Sequence, residues 1–249
     1  MIAKRNWFDK GQNYARFRPM YPADLTEYLS SLCGEKSLAV DVGCGTGQLT
    51  TLLASEFRNV VGLDSSEDQI RNAVSAENVA YVQSPAEALP IEDGSADLVT
   101  AAQAAHWFDR TKFYEESRRI TKPNAVLALL CYSIPRFENV KVDELFQDLY
   151  FKQLGEYWSP VLKLVDEEYR TLDFPFESCG QYSGSVSRVL TYKDVLGYVS
   201  TWSAARAVEV SGEIHILDDF AEMLEQIWPE SETIASTWFI NSRIGRLGE

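Results

Sequence analysis

The chain has only two histidines, four cysteines and three methionines in 249 residues. His106 and His215 are too few and too far apart for an ordinary zinc cluster, and none of Cys33, Cys44, Cys131 and Cys179 forms a C-x-x-C pair. The thiols read as reduced and mostly buried, and no metal is expected. Basic residues are scarce as well: 23 Lys and Arg stand against 37 acids, a formal net charge of −14. No run of Lys or Arg supplies the basic footprint that nucleic acids require, and an anionic membrane surface is disfavoured for the same reason. The longest apolar stretch, "AVLALLCYSI" from Ala125, is far short of the about 20 residues that span a bilayer. The N-terminal "MIAKRNWFDK" lacks the apolar centre of a signal peptide. These absences, with 45% hydrophobic and 24% charged residues, lead us to expect a globular protein located in the cytoplasm.

What is present is a rhythm. Short apolar runs recur through the first half: "SLAVDVG" to Gly43, "NVVGLD" to Asp64, "NVAYVQ" to Gln83, "ADLVTAAQ" to Gln103 and "AVLALLCY" to Tyr132. None alternates cleanly with polar residues, which suits strands buried on both faces of a parallel sheet. Helical stretches lie between them. "TGQLTTLLASEF" spaces Leu49, Leu52, Leu53 and Phe57 on one face. "SSEDQIRNAVSA" carries Ser66 and Gln69 as a capping pair. "DRTKFYEESRRI" runs to Ile120, with "KPN" expected as a turn at Pro123. Strands alternating with helices predict a Rossmann-like, doubly wound, mostly parallel seven-stranded sheet.

After Tyr132 the rhythm changes. Residues 132–182 hold 11 of the 30 aromatics in about a fifth of the length, which reads as a lid insertion after the fifth strand. One helix ("YKDVLGYVSTWSAARA"), another ("LDDFAEMLEQIW") and a last strand ("ETIASTWFI") follow.

"VDVGCGTGQL" is the most informative stretch. Gly43, Gly45 and Gly47 join a buried strand to a helix start, where glycine permits positive φ and close approach of a ligand. The G-x-G-x-G spacing, preceded by Asp41, lacks the third interval of the dinucleotide fingerprint. Asp64 ends the second strand 17 residues past Gly47, placed to accept both ribose hydroxyls of an adenosine.

At these residues the chain resembles the class I S-adenosylmethionine-dependent methyltransferases, from about Leu38 to Tyr132. The "FDKGQNYARFRPMYP" stretch (Phe8–Pro22) and "QAAHWFD" are similar to the trans-aconitate methyltransferase-like branch. The resemblance implies a single domain over 1–249: an N-terminal cap (1–37), a cofactor-binding core (38–132), a lid and acceptor-site insertion (133–190), and C-terminal helices with the last strand (191–249). It implies S-adenosyl-L-methionine as cofactor, held by Tyr14, Arg18, Asp41, Gly43, Cys44, Gly45, Gly47, Asp64, Ser65, Ala86, Glu87 and Gln103. Ala86 and Glu87 would lie against the adenine, and Arg18 would hold the methionine carboxylate. Trp107 and Tyr14 are candidate aromatic faces for the sulfonium.

The expected activity is methyl transfer to a small-molecule acceptor, with a carboxylate oxygen favoured because it is already ionised at neutral pH. No D-P-P-Y motif follows the fourth strand, which disfavours amino-methylation of nucleic acids. His106 and Trp107 are the expected acceptor-side residues. His106 reads first as pocket wall, second as general base, third as inert. No catalytic residue is assigned, and Asp109 beside it reads equally as a helix N-cap. Arg136, Arg170, Arg188 and Arg206 are available to a polycarboxylate acceptor, whereas the aromatic insertion favours an apolar one. Three rivals remain: a cofactor-binding protein without turnover, a protein or RNA methyltransferase, and a hydride-transferring dehydrogenase.

Overall fold

The computed structural model describes Trp7, residues 17–229 and residues 231–248. The chain divides into two compact units. The first, a sheet unit, takes residues 20–133, 163–186 and 239–249; the second, a helical unit, takes 1–19, 134–162 and 187–238.

The sheet unit opens with α1 (Ala23–Ser31) and continues as β1 (Leu38–Val42), α2 (Gln48–Leu53), β2 (Asn59–Asp64), α3 (Glu67–Arg71), β3 (Val79–Gln83), β4 (Ala96–Ala102), α4 (Arg110–Ile120) and β5 (Thr121–Tyr132). The five apolar runs are these five strands. They pair in parallel in the order β3-β2-β1-β4-β5, flanked by helices, which is the Rossmann-like arrangement the sequence implies. Residues Val126–Cys131 of β5 are fully buried, so this strand is apolar without alternation. Residues 240–246 of the long β9 (Ile234–Arg246) run antiparallel to β5, from Ile240 opposite Tyr132 to Arg246 opposite Val126.

Several local expectations are corrected. Among the described residues there are nine strands, not seven. Three strands lie outside the six apolar runs: β6 (Arg136–Phe137), β7 (Glu177–Gly180) and β8 (Gly184–Leu190) each pair with β9, whose 13 residues outrun the apolar "ETIASTWFI" and offer backbone groups on both sides. β3 is an edge strand, so Ala80, Val82 and Gln83 are exposed rather than buried on both faces. "KPN" is not a separate turn but an irregularity inside β5. Asn124 takes φ 63°, and the register with β4 jumps from Ala96–Thr121 to Leu98–Val126. α3 stops at Arg71, where the Asn72 side chain donates to the Asp68 carbonyl at 2.7 Å and closes the turn. Its start follows the capping pattern, with the Ser66 hydroxyl accepting from Gln69 N. Asp109 caps α4 in the same way, accepting from Lys112 N.

The helical unit contains α5 (Val140–Asp148), α7 (Tyr192–Ser200), α8 (Ser203–Ser211) and α9 (His215–Ile227); the short α6 (Lys163–Asp166) belongs to the sheet unit. The single helix read from Tyr192 to Ala207 is two. Thr201 Oγ1 bonds back to the Tyr198 carbonyl at 2.6 Å, and Trp202 turns to extended backbone and buries its indole. That indole lies 5.3 Å from the Phe146 ring and 5.4 Å from Trp158. Phe146 also meets Phe137 at 5.1 Å and Phe220 at 6.4 Å. Much of the aromatic enrichment after β5 is therefore the core of this unit, packed mainly edge to face. Among the described residues no helix is long and apolar enough to cross a membrane.

Candidate active site

In an open parallel sheet a ligand binds outside the carboxyl ends of the strands, where the strand order reverses. Here that point lies between β1 and β4. Two segments meet there: the glycine loop 43–47 after β1, and residues 103–108 after β4.

All three loop glycines take positive φ, at 70° for Gly43, 56° for Gly45 and 85° for Gly47. Their surroundings differ. A Cβ on Gly43 would stand 2.5 Å from Ala104 Cβ and 3.2 Å from Phe108 Cζ, so glycine is what lets the two segments touch. The Tyr81 hydroxyl fills the space beside Gly47, held there by donating to the Val74 carbonyl at 2.8 Å. Gly45 is open among the described residues: of these a Cβ would meet only Gln69 Oε1, at 3.9 Å. Two glycines serve internal packing, and the third leaves backbone uncovered for something else to approach.

Asp64 ties the loop to the end of β2. Its carboxylate accepts from Gly45 N and from Ser66 N, each at 2.8 Å. Gly43 N and Cys44 N both donate to the Leu63 carbonyl, at 2.7 and 3.0 Å. The Cys44 thiol is buried under the loop, and burial raises its pKa. Ser65 is exposed, and its carbonyl accepts from Gln83 Nε2 at 2.9 Å.

Asp41 lies beneath, almost fully buried, with Thr50 and Thr100 hydroxyls donating to its two oxygens at 2.7 Å each. Thr100 stands opposite it in the β1–β4 register. Burial raises the Asp41 pKa to about 6, against the two hydroxyl hydrogen bonds that lower it. Because the folded state holds this proton more tightly than the unfolded chain, stability is lost as pH rises from about 4 to about 6 and levels off above. Asp41→Asn keeps both hydroxyls bonded if one rotates to accept, so it should remove that slope, worth about 3 kcal/mol. Urea denaturation of both proteins between pH 4 and 7.5 measures it; parallel slopes would show that Asp41 does not titrate there.

The segment after β3 is braced by α4. Leu89 N donates to Glu116 Oε2 at 2.6 Å, and Arg119 donates to the Leu89 and Ile91 carbonyls at 2.7 and 2.9 Å. Ala86 is buried within this segment, and Glu87 accepts from Asp109 N at 2.8 Å. Gln103, at φ 54°, is fixed by N–H donation to the Leu130 carbonyl (2.8 Å) and amide donation to the Tyr132 carbonyl (2.9 Å). His106 is buried, with Nδ1 2.9 Å from the Tyr169 hydroxyl. Burial pulls its pKa down to about 4. Trp107 is 55% exposed, its ring 5.1 Å from the imidazole.

The sheet unit thus gathers Asp41, Gly43, Cys44, Gly45, Gly47, Asp64, Ser65, Ala86, Glu87, Gln103, His106 and Trp107 around the carboxyl ends of β1 to β4. Tyr14 lies outside the described residues. Arg18 belongs to the helical unit, where it donates to the Thr201 carbonyl at 3.3 Å and lies 5.3 Å from the Tyr198 ring. The other proposed cations have partners of their own: Arg136 pairs with Asp143, Arg170 with Glu168, Arg206 with Glu209, and Arg188 donates to the Phe17 carbonyl. Sequence reasoning missed Thr50, Thr100, Tyr81 and Tyr169. Tyr81 stood in a recognised strand and Thr50 in a recognised helix, but nothing local marked their partners. Among the described residues no group of three or more His, Cys, Asp or Glu is placed to hold a metal ion.

A doubly wound sheet with a G-x-G-x-G loop at its switch point and an acid ending β2 defines a class I methyltransferase. Residues 40–129 match the methyltransferase domain family. A methyltransferase-family protein of Dictyostelium discoideum is 37% identical over 216 residues, covering 86% of this chain and 82% of the relative. A methyltransferase-like protein of Schizosaccharomyces pombe is 28% identical, with 86% and 85% coverage. A solved structure from Anaeromyxobacter dehalogenans, described as a type II methyltransferase, has a TM-score of 0.85 at 35% identity, covering 93% of this chain and 98% of that one. The chain belongs to the methyltransferase family and is an S-adenosylmethionine-dependent enzyme.

The residues present fit that cofactor. Gly45 offers uncovered backbone, and Gln48 Nε2 beside the loop is buried without a hydrogen-bond partner among the described residues. Asp41 lies buried beneath the loop and Asp64 is bonded to the loop at Gly45 N, so two carboxylates border the same site. Such a floor attracts a sulfonium or ammonium and repels a pyrophosphate, which speaks against a dinucleotide and the dehydrogenase reading.

Proposed function

We propose that this enzyme transfers the methyl group of S-adenosylmethionine to a small-molecule carboxylate, forming a methyl ester. The observation that carries the acceptor chemistry is His106. It is buried, neutral at physiological pH and bonded at Nδ1 to a tyrosine, and among the described residues no carboxylate is hydrogen-bonded to it to support a proton relay. An acceptor served by such a residue is one that needs no base, and a carboxylate is ionised without help.

When bound, S-adenosylmethionine supplies an already activated methyl on a sulfonium; the protein's part is alignment and exclusion of water. The backbone of Gly43, Cys44, Gly45 and Gly47 would cradle the methionine moiety over the acidic floor. Asp64 would accept from the ribose hydroxyls, with Ser65 beside it. Ala86 and Glu87 would flank the adenine, and Gln103 would border the methionine end. His106 and Trp107 would wall the acceptor. The N-terminal signature and "QAAHWFD" support the trans-aconitate methyltransferase-like branch. The acidic surface supports a small acceptor over nucleic acid or membrane, and the four free thiols support a cytoplasmic location.

Incubation with methyl-tritiated S-adenosylmethionine and a panel of carboxylic acids tests this. The expected product carries its label in a small molecule and releases it as methanol under mild base. Label that resists base, or that enters protein or RNA, would overturn the carboxylate reading.

A further inference from the structure

Tyr169 belongs to none of the sequence motifs, yet it is fully buried against His106. It and Glu168 hold φ of 57° and 58°, a conformation that non-glycine residues keep only where their surroundings over-determine it. Here the surroundings do: Tyr169 N donates to the Leu164 carbonyl at 2.8 Å, and the ring fills a closed space beside the imidazole, 6.1 Å between centroids.

The hydrogen bond between them has a definite polarity. Both groups are neutral, because burial lowers the His106 pKa to about 4 and raises that of the Tyr169 phenol well above its usual value. The ionisable groups facing the pair are Cys131 on β5, Tyr114 and Arg110 on α4, and Tyr21 just ahead of α1. Among the described residues the His106 Nδ1 is the one hydrogen-bond partner of the buried Tyr169 phenol oxygen. A buried O–H left without an acceptor is costly, so the phenol's single proton goes to Nδ1. A neutral imidazole whose Nδ1 accepts carries its own proton on Nε2.

We propose that Tyr169 is the positioning residue for His106, fixing it as the Nε2–H tautomer so that residue 106 gives the acceptor carboxylate a hydrogen-bond donor and takes no proton from it. The identity of the acceptor rests on the methyl-ester reading above; the tautomer does not. This arrangement excludes His106 as a base toward a hydroxyl acceptor through Nε2, the nitrogen not bonded to Tyr169.

The test is nitrogen-15 NMR on histidine-labelled protein. Only His106 and His215 contribute, and His215→Gln separates them. The expected spectrum shows His106 as Nε2–H, unchanged from pH 5.5 to 8. Tyr169→Phe should lose that single-tautomer signature and raise the acceptor KM about tenfold, with a much smaller change in kcat. An Nδ1–H tautomer in the wild type, titration of His106 near pH 6.5, or an unchanged tautomer in Tyr169→Phe would each overturn the proposal. Should Tyr169→Phe fail to fold, the wild-type spectrum alone decides. An Nε2–H signature without methyl-ester formation from any acid keeps the positioning role and overturns the acceptor.

Discussion

Gly45→Ala is expected to abolish measurable S-adenosylmethionine binding at micromolar protein while lowering stability by only about 1–2 kcal/mol, whereas Gly43→Ala is expected to cost about 2–5 kcal/mol. The contrast follows from what each new methyl would meet. Both positions require positive φ, which costs an L-residue about 1–2 kcal/mol. At position 45 nothing is added to that, because the nearest atom, Gln69 Oε1, is 3.9 Å from the new Cβ. The methyl instead occupies a face of the loop that the described residues leave uncovered. At position 43 the Cβ would lie 2.5 Å from Ala104 Cβ and press on the Phe108 ring, adding an overpacking cost of about 1–3 kcal/mol. Denaturant titration and calorimetric binding on both variants separate the two effects. Equal stability losses, or retained affinity in Gly45→Ala, would show that the loop does not face the ligand as described.

Asp64→Ala is expected to weaken S-adenosylmethionine binding at least about a hundredfold. Two charge-assisted hydrogen bonds to ribose hydroxyls are each worth about 1.5–3 kcal/mol, and each 1.4 kcal/mol is tenfold in affinity. The carboxylate already accepts from Gly45 N and Ser66 N, which fixes its orientation and leaves further lone pairs for a ligand. Asp64→Asn distinguishes position from charge. It retains one acceptor oxygen and should lose less affinity than alanine, although its amide nitrogen cannot accept from the loop. Because Asp64 is half-buried, the two amides freed by alanine can turn to water, and the unfolding midpoint should fall by only a few degrees.

The features legible in the sequence share a local cause. The inner parallel strands β1, β4 and β5 announce themselves as unbroken apolar runs because covering helices bury both faces, whereas β3 at the sheet edge keeps the run without the burial. Gly43, Gly45 and Gly47 stand out because positive φ excludes most other residues. Ser66 and Asp109 are readable as caps because each bonds an amide three residues away. What stayed hidden depends on partners distant in the chain. Asp41 and Thr100 are 59 residues apart, and only the β1–β4 register brings them opposite each other. His106 and Tyr169 are 63 apart, with the bond set by a backbone turn at Glu168–Tyr169 that no turn-forming residue marks. Aromatic enrichment after Tyr132 reports composition, not facing direction. Phe146, Tyr198 and Trp202 pack on one another, and the break at Trp202 is a tertiary effect in which burying an indole outweighs continuing a helix.

The central claim is that the loop after β1 and the acid ending β2 together hold S-adenosylmethionine. Calorimetric titration of S-adenosylmethionine into the wild type and Asp64→Ala, at pH 7.5 with folding checked for both, tests it most directly. The expected result is saturable binding at one site per chain in the wild type and affinity reduced a hundredfold or more in the variant. Absence of binding by the wild type, or equal binding by the two proteins, would contradict it.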